Sequence, residues 1–408
     1  MSNYNINLHE AIYSLSDTLD LVGVTHIHHG KHVAFIASEI GQHLAWPKQQ
    51  LDDLFEAAIL HDSGVSKTTV HVKLAQFHWE HEAEHCQIGA ALMDSCPMLS
   101  HLALVVLHHH THWSKLQGMD LPDAAKLNAN CIYLSDRVDV LALKYLSNGG
   151  DILAGRASIR NAIMERRDDW FCPELVDAFM QMSESASFWL QLETGRIDGY
   201  VSTWLAETGR EDISFEELRS LVQIFSGIVD AKSGYTREHS DGVASLARYL
   251  GTLSGLSEKT CEMLDLTGLL HDIGKLRVPD ELLEKPHRLN EEEILTMRRH
   301  SFDTYNVLKN ISGLEQIALW AGQHHERMDG SGYPGHVGGS GLSLEARIIE
   351  VADVFQALAQ RRPYRDALPP DEILRILKEY VGSGKLDGEV VALVEAHIEE
   401  CWRAAVID

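Results

Sequence analysis

Two sets of seven residues of metal-binding type run through this chain in the same order. The later set is His239, His271, Asp272, His300, His324, His325 and Asp353, and the earlier is His29, His61, Asp62, His85, His109, His110 and Asp136. His239 and His271 stand 32 positions apart, as do His29 and His61, and 24 positions separate both His300 from His324 and His85 from His109. Repetition of both intervals points to a duplicated domain with a metal site in at least one copy. Imidazole and carboxylate form a hard-to-borderline ligand set that suits Fe, Mn or Zn. Adjacent His and Asp on a helix project about 100° apart, so an Asp placed this way can bridge two ions. Two metals roughly 4 Å apart can lower the pKa of a shared water and stabilise both oxygens of an in-line phosphoryl displacement.

Helices must position these residues. Apolar side chains recur at helical spacing in Val33, Ile36, Ala37 and Ile40 and again in Val243, Leu246, Ala247 and Leu250, whereas alternating strand patterns are scarce. The expected fold is all-α. The segments His29–Gly41 and His239–Gly251 align as helices beginning near their His, and Ala58–Gly64 aligns with Gly268–Gly274. Residues 151–205, with Trp170, Trp189 and Trp204, read as helices that complete the first domain. The polar stretch 207–214, with Ser214 as an N-cap ahead of Glu216 and Glu217, marks a boundary. The expected domains are 1–208 and 209–408.

The 408 residues are 45% hydrophobic, enough to bury the cores of two domains. A net charge of −25 argues against a protein that coats a nucleic acid polymer, which needs clustered Lys and Arg. An anionic substrate must therefore meet locally supplied cations. No apolar run reaches membrane-spanning length, and the start lacks a signal-peptide layout, so a cytoplasmic protein with no membrane partner is expected. Six scattered Cys without a Cys-x-x-Cys pair fit a reducing compartment.

His271-Asp-Ile-Gly-Lys275, followed by His324-His-Glu-Arg-Met-Asp-Gly-Ser-Gly-Tyr-Pro334, resembles the HD-GYP family of cyclic dinucleotide phosphodiesterases, a branch of the HD phosphohydrolases. The resemblance covers about 220–385. It implies a helical fold, two or three metal ions with Fe first and Mn next, and hydrolysis of cyclic di-GMP to linear pGpG and on to GMP in some members, with 3′,3′-cyclic GMP-AMP as the nearest other substrate. The ligand roles carry over to His239, His271, Asp272, His300, His324, His325 and Asp353. Asp272 and Lys275 become the catalytic pair, and Lys275, Arg362 and Arg365 the phosphate contacts. These cations supply the positive charge an acidic chain otherwise lacks. In the glycine-rich loop 329–341, Tyr333 is placed to stack on or hydrogen-bond to a base. A diguanylate cyclase or another signalling protein is the implied protein partner.

This chain departs from the family at three points. The turn before His239 carries Gly234 and Tyr235 where three-metal members carry a carboxylate, which favours two metals, with Asp230 and Glu238 as other contributors. Gln356 stands for the usual Asp three residues after the last ligand, and Met328 for a common Trp. The first copy keeps every ligand type but has no Lys after His61-Asp-Ser-Gly64, and it reads His109-His-Thr-His-Trp-Ser-Lys115 in place of the glycine signature. Its HD resemblance leaves three readings: a second hydrolase, a metal-loaded regulatory domain, which the lost motifs favour, and a structural scaffold. His26, His28, His108 and His112 offer other ligands there. A catalytically quiet nucleotide receptor and a di-iron oxygenase are the competing classes for the whole. The intact ligand set weighs against the first, and Lys275 with the Gly-Tyr-Pro loop against the second.

Overall fold

The computed structural model describes residues 3–19, 28–65, 83–146, 150–193, 195–206, 209–232, 239–360 and 366–406. Helices make up nearly all of its regular structure. The chain divides into two compact units, Leu8–Arg210, and Met1–Asn7 together with Glu211–Asp408. The first seven residues therefore belong with the C-terminal unit, which the expected division at 208/209 does not provide for. Strand β1 (Asn3–Ile6) pairs antiparallel with β2 (Glu211–Ser214), Asn3 opposite Ser214 and Ile6 opposite Glu211. Alternation in Asn-Tyr-Asn-Ile buries Tyr4 and Ile6, and the Tyr4 hydroxyl donates to Glu262 at 3.0 Å. Four residues are too few for a period-2 pattern to stand out in the sequence. Ser214 does cap the helix that follows. Its hydroxyl accepts from the Glu217 amide at 3.3 Å, while the Glu217 carboxylate accepts from the Ser214 amide at 2.8 Å.

In the C-terminal unit the helices start where polar side chains can satisfy their free amides. Ser257 caps Glu258–Leu270, Asn290 forms a reciprocal capping box with Glu293 on Glu291–Leu308, and Ser343 caps Leu344–Ala359. Such a cap stabilises by about 1 kcal/mol. The stripe Val243, Leu246, Ala247 and Leu250 of helix His239–Leu253 packs against Leu264, Ile348, Val351 and Phe355 in one core, each fully buried Val, Leu, Ile or Phe side chain contributing about 1.5–3 kcal/mol. Gly268 decides how closely two of these helices approach. A Cβ there would lie 2.4 Å from the Ala244 Cα, so helices His239–Leu253 and Glu258–Leu270 meet backbone to backbone and bring His239 beside His271.

The N-terminal unit repeats the plan with helices His29–His43, Lys48–Leu60, Ala83–Asp94, Ala103–His108 and Asp123–Leu146. Residues 151–205 form helices at Ile152–Met164, Pro173–Met182, Ala186–Leu190 and Ile197–Ala206, with Trp170 in the turn between the first two rather than on a helix. Trp189 is buried, its indole N–H donating to the Ser183 carbonyl at 2.8 Å. All six cysteines are free and buried. Among the described residues no helix is long and apolar enough to cross a membrane.

Candidate metal centres

Five of the seven ligand-type residues of the C-terminal unit sit at or just past a helix end. His239 opens its helix, and His271 and Asp272 follow the last turn of Glu258–Leu270. His324 and His325 follow Glu315–Gly322, whereas His300 and Asp353 lie within Glu291–Leu308 and Leu344–Ala359. This placement fixes the imidazole tautomers. Nδ1 of His271, His300 and His324 donates to the carbonyl three residues back, at 2.7, 2.6 and 2.6 Å. A carbonyl can only accept, so the proton is on Nδ1 and a bare Nε2 lone pair faces the site. His239 does the same through the Gln356 side-chain oxygen.

The bare nitrogens face each other. His239 Nε2 lies 3.2 Å from His271 Nε2, and His300 Nε2 lies 3.2 Å from His324 Nε2. Two lone pairs at that distance repel unless a cation lies between them. Asp272 spans both pairs: Oδ2 lies 3.6 Å from His239 and 3.3 Å from His271, while Oδ1 lies 3.5 Å from His300 and 3.9 Å from His324. Asp353 spans the outer edge, with Oδ1 3.4 Å from His239 and Oδ2 3.8 Å from His325 Nδ1. Asp272 Oδ1 is buried without a hydrogen-bond partner, a costly arrangement that coordination would relieve. The donors thus fit two cations, one beside His239, His271, Asp272 and Asp353, the other beside Asp272, His300, His324 and His325.

Electrostatics divide the donor set: for His271 burial is outweighed by the Asp272 carboxylate beside it, which raises it above the ordinary range. Burial pushes His300 down to about 4 and His324 down to about 3, so both imidazoles are neutral near pH 7 and able to donate lone pairs. Burial opposes ionisation of Asp272, but Lys275 and His271 beside it hold the carboxyl well below the usual range. Lys275, on the 3-10 turn Ile273–Arg277, reaches Asp272 Oδ2 with its ammonium. Tyr333 lies 4.8 Å from the His325 ring, between centroids, in a loop anchored by Glu326. The buried Glu326 carboxylate accepts from the Gly335 and Val337 amides at 2.5 and 2.9 Å. Gly332 is required there, since a Cβ would lie 2.4 Å from the Glu326 Cα. Arg362, Arg365 and the turn 233–238, with Gly234, Tyr235 and Glu238, lie outside the described residues. Asp230 accepts from the Ser240 hydroxyl at 3.2 Å.

The N-terminal unit reproduces this geometry nearly atom for atom. Asp62 Oδ2 lies 3.7 Å from His29 and 3.6 Å from His61, Oδ1 lies 3.5 Å from His85 and 4.0 Å from His109, and Asp136 lies 3.4 Å from His29 and 3.8 Å from His110. His61 and His109 donate from Nδ1 to Ala58 and Val106 carbonyls, and the Nε2 atoms of His85 and His109 face each other at 3.3 Å. This geometry favours the His109-His110 register. His108 turns instead to Thr111 and His112 to Trp170, His28 contacts Lys31, and His26 is outside the described residues.

Three residues distinguish the units, and the sequence reading anticipated only part of their effect. Val65 stands where Lys275 does and is buried. Arg137, buried beside Asp136, donates to Asp136 Oδ2 at 2.7 Å and supplies a cation at a different carboxylate. Asp139 occupies the place of Gln356 and accepts from His29 Nδ1 at 2.7 Å. Burial lowers His239, whereas for His29 the same burial is outweighed by hydrogen bonds to Asp136 and Asp139, which raise it well above the ordinary range. Arg298, which the sequence reading did not single out, places its guanidinium carbon 5.0 Å from the Tyr333 ring centroid.

The HD domain family matches the chain twice, over residues 27–141 and 223–390. The chain is 34% identical to 3′3′-cGAMP-specific phosphodiesterase 1 of Vibrio cholerae over 99% of its own length and 95% of that protein's. It is 36% identical to the cyclic di-GMP phosphodiesterase response regulator RpfG of Xanthomonas campestris pv. campestris over 42% of this chain and 45% of that one. The crystal structure of a cyclic GMP-AMP-specific phosphodiesterase of V. cholerae, V-cGAP3, superposes with a TM-score of 0.65 at 25% identity, covering 98% of each chain. With both halves matched, and the complete ligand set, Lys275 and the Gly-Tyr-Pro loop in the second, this chain belongs to the HD-GYP family of cyclic dinucleotide phosphodiesterases and carries an additional N-terminal HD domain.

Proposed function

We propose that the C-terminal unit hydrolyses a 3′,3′-linked cyclic dinucleotide to its linear form, with 3′,3′-cyclic GMP-AMP ahead of cyclic di-GMP. The sequence reading ranks cyclic di-GMP first. The order changes because the 3′3′-cGAMP-specific relative matches both halves, whereas RpfG matches less than half of this chain. The observation that carries the reading is Asp272, whose two oxygens face two separate imidazole pairs while Lys275 lies against it. When bound, two divalent cations, Fe first and Mn next, would neutralise phosphoryl oxygens and make a water a better nucleophile. Around them this chain's own residues act. The buried histidines exclude solvent and hold their lone pairs inward, Asp272 keeps the two donor sets in register, and Lys275 adds a positive charge for a non-bridging phosphate oxygen. Comparing kcat/KM for the two cyclic dinucleotides tests the ranking, which a preference for cyclic di-GMP would reverse.

Lys275→Ala is expected to lower kcat/KM by about 2–4 kcal/mol, roughly 30- to 1000-fold, with metal stoichiometry unchanged, because the ammonium is not a ligand. Metal analysis of the variant checks this, and metal loss would show that Lys275 holds the donor set together instead.

For the N-terminal unit we propose a metal-loaded regulatory role, supported by complete donors without the Lys275 counterpart. The double variant His61→Ala with Asp62→Ala should still hydrolyse substrate but with kcat/KM changed about five-fold or more, the lower end of typical coupling between sites. Unchanged kinetics in a variant shown to have lost N-terminal metal would leave that unit a scaffold.

A further inference from the structure

We infer that Arg298 is a substrate-positioning residue that grips the phosphate not being cleaved, a role that rests on the reading of the C-terminal unit as a cyclic dinucleotide phosphodiesterase. A cyclic dinucleotide carries two phosphates; the metal-facing donors and Lys275 meet one, and Arg362 and Arg365, the other phosphate contacts implied by the resemblance, lie outside the described residues. Among the described residues, Arg277 and Arg327 near the site are already paired, Arg277 with Asp303 at 3.2 Å and Arg327 with Glu350 at 2.7 Å. Arg298 differs. Among the described residues it has no carboxylate within ion-pair distance, and it is exposed with its guanidinium over the Tyr333 ring.

Its position is set by its helix and by Tyr333. Arg298 lies two residues before His300 on helix Glu291–Leu308, so the backbone that places one metal-facing imidazole also places this guanidinium. Tyr333 acts as the spacer. Its ring lies 4.8 Å from the His325 ring and 5.0 Å from the Arg298 guanidinium carbon, and its amide donates to the His325 carbonyl at 3.1 Å. The guanidinium is thereby held a ring away from the imidazoles, with its N–H groups uncommitted to any carboxylate. A planar fork of donors in that place matches a phosphate bidentately, whereas an ammonium would meet it as a point charge. Tyr333, packed between His325 and Arg298, then orients these two groups.

The test uses full-length metal-loaded protein and two substrates, 3′,3′-cyclic GMP-AMP and bis(p-nitrophenyl) phosphate, which has a single phosphate. Arg298→Ala should raise KM for the cyclic dinucleotide about ten-fold or more, as expected for a lost hydrogen bond between charged groups. KM for the single-phosphate substrate and metal content should not move, and Arg298→Lys should recover part of the loss. An unchanged KM for the cyclic dinucleotide, or equal losses on both substrates, would overturn the assignment. Wild-type protein that cleaves bis(p-nitrophenyl) phosphate but neither cyclic dinucleotide would instead overturn the underlying reading, and the assignment with it.

Discussion

Asp272→Ala should abolish cyclic dinucleotide hydrolysis and reduce the metal content of the protein. Among the described residues this carboxylate is the one group whose two oxygens face both imidazole pairs, so its loss removes a donor from each set at once. It also strands Lys275, which lies against Asp272. Removing a single electrostatic stabiliser costs about 10²–10³-fold in kcat, and removing a group shared by two sites should cost more. The N-terminal unit should not rescue the variant, because Val65 replaces the lysine there. Steady-state assays with metal analysis on the same preparation check this. Wild-type turnover in the variant would remove Asp272 from the mechanism, and a surviving fraction abolished by a further Asp62→Ala change would make the chain a double enzyme.

Gly274→Ala should lower both stability and activity without touching any donor atom. A Cβ at this position would lie 2.1 Å from the His300 carbonyl oxygen and 2.8 Å from the Thr304 amide. Both obstacles are backbone, so the 3-10 turn Ile273–Arg277 must move away from helix Glu291–Leu308. The Thr304 hydroxyl now joins these elements, donating to the His271 carbonyl at 3.0 Å and accepting from the Gly274 amide at 3.0 Å. Overpacking of this kind costs about 1–3 kcal/mol, or roughly 2–4 °C in the melting midpoint per kcal/mol for a unit of this size. Asp272 and Lys275 flank the glycine, and a misplacement of about 1 Å costs on the order of 10² in rate. Thermal melting and kcat/KM are the readouts, and a variant indistinguishable from wild type in both would show that the turn has room to give.

The sequence made the donor set legible because each ligand is tied to a local feature, a helix end or a helix face, whose spacing survives duplication. The intervals that pair His239 with His271 and His29 with His61 place His and His-Asp on adjoining helices in both units, and Gly274 and Gly64 mark the same close approach in each. Gly64 would put a Cβ 2.0 Å from the His85 carbonyl oxygen. What stayed hidden depends on contacts between distant positions. The pairing of β1 with β2 joins Asn3 to Ser214 across the whole N-terminal unit. Gln356 looks like a lost carboxylate in the sequence, but its side-chain oxygen still orients His239. Arg137 and Arg298 look like ordinary surface charge in the sequence. The first proves buried against Asp136 and the second poised over Tyr333. Glu326 gave no periodic signal because it holds a loop through backbone amides.

The central claim is that the C-terminal donor set is a two-metal hydrolytic centre for a cyclic dinucleotide. The most direct test is metal analysis of anaerobically purified full-length protein, followed by product chromatography with 3′,3′-cyclic GMP-AMP and cyclic di-GMP before and after chelation. The account predicts about two metal ions beyond those held by the N-terminal unit and diminished in Asp272→Ala, linear dinucleotide as product, loss of hydrolysis on chelation and recovery on adding metal back. Metal-loaded protein that leaves both cyclic dinucleotides intact, or hydrolysis that persists after the metal is stripped, would contradict it.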